Sequence, residues 1–112
     1  MGCIGDKGAT ELAEALSINS NIIKVNLAGN SITDRGAQAL SKMLVKNRKL
    51  EILKLNGNSI RKPGTVLLLR AITGDASDPP NLVIRELFLD NNIDTGLENG
   101  MLCNCRVTGD IA

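Results

Sequence analysis

Residues 25–40 read VNLAGNSITDRGAQAL, and residues 53–68 read LKLNGNSIRKPGTVLL. Laid over each other with a step of 28 residues, the two stretches place Val25 on Leu53, Leu27 on Leu55 and Asn30 on Asn58. The same step continues outward: Ile4, Ile32 and Ile60; Gly8, Gly36 and Gly64; Leu12, Leu40 and Leu68; Leu16, Leu44 and Ile72; Ile22 and Leu50. Self-similarity at one fixed spacing marks a stack of like supersecondary units, each burying its apolar face against the next.

Each unit contains two periods. In Val25-Asn26-Leu27, Leu53-Lys54-Leu55 and Leu87-Phe88-Leu89 a residue between two apolar ones faces away, the pattern of a short strand covered on one side. The period then changes, and Gly36, Leu40, Met43 and Leu44 fall on one side of a helix. Thr33 or Asp34 is placed to cap that helix, as Asp6 is in the unit before. Pro63 falls in the first turn of the third helix, where a missing N–H costs nothing. Asn19 and Asn47 stand where a helix is expected to close in a left-handed residue. Asn30 and Asn58 follow the strands, where the chain bends and leaves backbone groups unpaired. A side-chain amide there serves its own turn and its neighbour's. The repeated Gly8, Gly36 and Gly64 provide either close helix approach or an unusual backbone angle.

The segments IIKVNLAGNSITDRGAQALSKMLVKN (22–47) and LEILKLNGNSIRKPGTVLLLRAI (50–72) resemble the 28-residue leucine-rich repeat of the ribonuclease-inhibitor type. The resemblance runs from about Ile4 to Asn92. It implies an α/β fold: a short right-handed solenoid with parallel strands on the concave face and helices on the convex face. Proteins with such repeats include ribonuclease inhibitor, the GTPase-activating protein of Ran, immune-receptor sensor domains, tropomodulin-like actin-capping proteins and ciliary proteins. A fold so widely used does not define one function.

The register breaks in three places. From Asn58 to Asn92 the step is 34, six more than 28, and the excess falls in TGDASDPPN (73–81). Its glycine, prolines and short polar residues read as an exposed loop. Beyond Asn92 the pattern decays: Asp94 stands in the place of Ile60, and Arg106 in that of Leu44. Residues 1–92 are thus expected to hold a partial unit, two full units and a degenerate last strand, with 93–112 a divergent tail or cap. The first helix lacks a strand before it. The chain is therefore expected to be a piece of a longer repeat protein, or a small one that self-associates through uncapped ends or leans on a partner.

The composition limits the chemistry. There is no His, which removes the common nucleophile–base pairs and proton shuttle. No phosphate-binding glycine motif lies between strand and helix. Glu11 and Glu14 read as hydrated helix surface. Cys3, Cys103 and Cys105 are too few for a disulfide framework, and a lone C-x-C pair is a poor zinc site, so reduced thiols and a cytoplasmic setting are expected. The start MGCIGD has Asp6 where an acylation signal wants Ser or Thr. No run reaches transmembrane length. With a net charge of +1, neither nucleic acid nor an anionic membrane is the expected partner. No cofactor, no metal and no enzymatic activity are expected. Regulation of a small GTPase would need residues such as Arg35 or Arg85 in a specific setting that the sequence does not supply.

What remains is recognition of a protein partner through the outward strand positions. Lys24 and Asn26 belong to the first strand, Ile52, Lys54 and Asn56 to the second, and Glu86, Phe88 and Asp90 to the third. Phe88, the sole aromatic residue, is expected either to anchor the partner or to be covered by the irregular C-terminal tail. A structural element of a larger cytoskeletal, ciliary or immune-receptor assembly is the alternative.

Overall fold

In the computed structural model the described residues are 4–18 and 21–93. The expectations for Cys3, Asn19, Asp94, Cys103, Cys105 and the tail lie outside them. Elements alternate strictly: α1 (Gly5–Ile18), β1 (Lys24–Asn26), α2 (Asp34–Lys46), β2 (Ile52–Lys54), α3 (Lys62–Thr73) and β3 (Glu86–Phe88). The strands form one parallel sheet in the order β1-β2-β3. Val25 stands beside Leu53, and Leu53 beside Leu87, so the apolar residues align in columns across the layers. Helices pack α1 on α2 and α2 on α3.

The core is the repeat made physical. Val25, Leu53 and Leu87 form one column, Leu27, Leu55 and Leu89 the next, and Ile32 and Ile60 close the turn, all at most 8% exposed. Helix residues Leu16, Leu40, Leu44, Leu68 and Ile72 cover them from the other side. Each such burial contributes about 1.5–3 kcal/mol before chain entropy is set against it. Ile4 stands 41% exposed although its repeat partners Ile32 and Ile60 are fully buried.

Beyond each strand the chain must reverse towards its helix. Gly29, Gly57 and Asn91 take the left-handed turn there, with φ of 69°, 71° and 61°. Asn is the side-chain-bearing residue best suited to that angle. The asparagines next to them bond across the layers. The Asn58 amide nitrogen donates to the carbonyls of Leu27 and Leu55, both at 2.9 Å. Its oxygen accepts from the backbone N–H groups of Asn30 at 2.9 Å and Ile32 at 3.0 Å. Asn92 repeats this one layer on, reaching Leu55, Leu89 and Ile60. Asn30 has weaker bonds, accepting from Ile4 at 3.4 Å and donating to Ala28 at 3.2 Å.

A second asparagine ladder runs along the opposite edge. Asn47 donates to the Leu16 carbonyl and accepts from Lys49 and Leu50. Asn81 donates to the carbonyls of Leu44 and Asn47 and accepts from Val83 and Ile84. Asn47 does not close α2 in a left-handed conformation. Its φ of −81° and ψ of 124° are extended, because its side chain is committed to the neighbouring layer.

The helix starts are also tied together across layers. Thr33 caps α2 itself, its hydroxyl accepting from the Arg35 N–H. Asp34 instead accepts from the N–H groups of Arg61 and Gly64, one helix further on. Asp6 does the same for Thr33 and Gly36. The repeated glycine is therefore a matter of space: a Cβ on Gly36 would lie 2.7 Å from the Asp6 Oδ1 and 3.4 Å from the Ala9 Cβ. Burial of the Asp6 carboxyl works to raise its pKa. Hydrogen bonds from the Thr33 hydroxyl and the N–H groups of Thr33 and Gly36, with the charge of Arg35, outweigh it and hold the carboxyl below its ordinary value.

The extra residues after α3 fold into a turn. Asp75 accepts from the N–H groups of Ser77 and Asp78, which lower its pKa. The Arg48 guanidinium donates to the carbonyls of Pro80, at 2.9 Å, and Val45, at 3.0 Å, fastening the loop to the end of α2.

Candidate functional site

Short strands with covered inner faces turn their alternate side chains outward. The register sets Lys24 beside Ile52 and Ile52 beside Glu86 in one row. Asn26, Lys54 and Phe88 form the second row. Asn56 and Asp90 follow their strands, and their carbonyls accept from the N–H groups of Gly29 and Gly57. Lys24 and Asn26 are exposed; the other six positions are half-buried.

The second row has the most definite geometry. Lys54 Nζ lies 5.5 Å from the centroid of the Phe88 ring, within cation–π range. The ring is thus braced by the neighbouring strand and lies half-buried. Asn26 turns its amide oxygen to the Ala28 N–H at 3.0 Å. Its amide nitrogen makes no hydrogen bond among the described residues. Across the face Lys24 and Lys54 offset Glu86 and Asp90, leaving no net sign. Such a surface offers an aromatic contact, a cation and amide donors side by side. It holds no arrangement of base and nucleophile, and the described residues contain no cluster of three metal-ligating side chains.

Sequence reasoning did not find the Arg85–Glu51 ion pair at 3.6 Å, just before β2 and β3. Both side chains are accessible, so its effect on stability is small. Ile23 occupies the equivalent position in the first layer and is 54% exposed. The repeat step of 28 from Ile23 to Glu51 was the available signal, but an apolar residue before a strand reads as core.

Residues 19–41 and 46–69 match the family model described as Leucine Rich repeat. The chain is an α/β leucine-rich-repeat solenoid. No curated protein sequence matches it. Among solved structures it is similar to "Leiomodin-1 Actin-Binding Site 2 (ABS2)", with a TM-score of 0.75 and 26% sequence identity. That likeness covers 90% of this chain and 56% of that one, so the chain spans little more than half of its structural neighbour. Fold and neighbour together support a protein-interaction module.

Proposed function

We propose that this chain is a non-catalytic, cytoplasmic module that binds a protein partner through its concave strand face. The observation that carries the reading is the Asn26–Lys54–Phe88 row, in which a braced aromatic ring sits beside a cation and an amide nitrogen with no hydrogen-bond partner among the described residues. Half-buried aromatic residues supply much of the energy of protein interfaces, and surrounding polar groups set their register. Lys24, Ile52, Asn56, Glu86 and Asp90 frame that row and complete the contact surface.

Actin is the partner to test first, because the similar structure is an actin-binding site. Co-sedimentation with actin filaments and gel filtration with monomeric actin give the direct readout. Phe88→Ala and Lys54→Glu should each weaken binding at least tenfold while far-ultraviolet circular dichroism stays unchanged. Full binding by both folded variants removes the strand face as the site. Absence of binding by the wild type removes actin.

A further inference from the structure

The helix side contains a second surface, separate from the strand face. A groove of about 580 Å³ runs between α1 and α2. The corresponding space between α2 and α3 measures only about 150 Å³. The repeat explains the difference: Ser17 stands where the next unit has Val45, and Ala39 where it has Leu67. Two larger aliphatic side chains fill one groove, while their small equivalents leave the other open. The hydroxyls of Thr10 and Ser17 donate to the carbonyls of Asp6 and Ala13 in their own helix. Their donors are therefore spent, and with Ala13 and Ala39 the groove floor is effectively apolar.

Along one rim α2 presents Arg35, Lys42 and Lys46, all exposed and none in an ion pair among the described residues. Glu14 is the sole acidic residue lining the groove. Steps of seven and four residues keep the three cations on one helix side over about 16 Å. We propose that this groove binds an acidic amphipathic helix of a protein partner. Apolar side chains of that helix occupy the small-residue floor, and carboxylates at matching seven- and four-residue steps meet the basic rim. Complementary charge of this kind sets orientation and speeds encounter. A flat anionic bilayer reaches the rim without filling the floor, so the groove's shape favours a protein helix over a membrane.

The probe is a fluorescein-labelled, 18-residue amphipathic peptide with Glu at those steps and Leu on its apolar face. Its binding to the full chain is followed by fluorescence anisotropy, with a lysine-for-glutamate peptide, phosphatidylserine vesicles and a thymidine oligonucleotide as competitors. We expect saturable binding that weakens as salt rises, a tenfold or greater loss in Lys42→Glu/Lys46→Glu, and no change in Phe88→Ala. Ala39→Leu, which copies Leu67, should fold normally and also lose binding at least tenfold. Ser17→Val, which copies Val45, is the second groove-filling variant should the first fail to fold. Equal binding by a folded groove-filled variant overturns the proposal. So does preference for the lysine peptide, stronger competition by vesicles or oligonucleotide, or self-association that displaces the probe.

Discussion

Replacing Asn58 by alanine should destabilise the protein far more than the same change at Asn30, although the two are repeat equivalents. The Asn58 amide makes four bonds of 2.9–3.0 Å: to the carbonyls of Leu27 and Leu55 and from the N–H groups of Asn30 and Ile32. Alanine strands two donors, the Asn30 and Ile32 N–H groups, and one acceptor, the Leu27 carbonyl, where water has little access, while the Leu55 carbonyl keeps its bond from Asn92. At about 1 kcal/mol net per bond, the loss is on the order of 4 kcal/mol. That is a large part of the roughly 5–15 kcal/mol that holds a domain of this size together. Among the described residues the Asn30 side chain makes two long bonds, at 3.2 and 3.4 Å, and its removal should cost about 1 kcal/mol. Urea denaturation followed by far-ultraviolet circular dichroism measures both. With a slope of about 2 kcal/mol per molar, the midpoint should fall by roughly 2 M in Asn58→Ala and by about 0.5 M in Asn30→Ala. Equal shifts, or less than about 1 kcal/mol at Asn58, would refute the view that cross-layer amide bonding holds the stack.

Three further perturbations separate the other contacts. Asp6 titrates below its ordinary value in the folded chain, so the unfolded chain binds protons first as pH falls. Its stabilisation is present above the unfolded pKa of about 4 and is lost as pH drops through the folded value. Asp6→Asn should therefore flatten the acid side of the stability curve relative to wild type, as thermal melts across that range will record. Gly36→Ala gains helix propensity of about 1 kcal/mol but forces a Cβ within 2.7 Å of the Asp6 Oδ1. Steric conflict should win, with a net loss of about 1–2 kcal/mol in urea titration. Arg48→Ala releases the loop at Pro80, so limited proteolysis should cut within residues 74–80 faster than in wild type while the overall melting temperature moves little.

Much of the architecture is legible because burial imposes its own period. The step that pairs Val25 with Leu53 in the sequence is the step that places them side by side in the sheet. The roles of Asn30 and Asn58 are legible for the same reason: a polar residue repeated immediately after a covered strand has few other uses. What periodicity does not encode is the layer into which a side chain reaches. Asp34 appears suited to its own helix, yet it accepts from the next one. Asn81 reads as the end of an irregular loop because six extra residues separate it from the register of Asn47, but it continues the same ladder. The strand-face row follows from alternation alone, whereas the Lys54–Phe88 contact needed the parallel register.

The direction of these side-chain bonds limits how such a protein can vary in length. Adding one complete unit brings its own asparagines and aspartate and reproduces every contact. A one-residue change inside a strand or helix misaligns both edges together. The quantum of growth is therefore the whole repeat, and smaller changes are confined to stretches spanned by neither ladder, where the six additional residues before Asn81 are found.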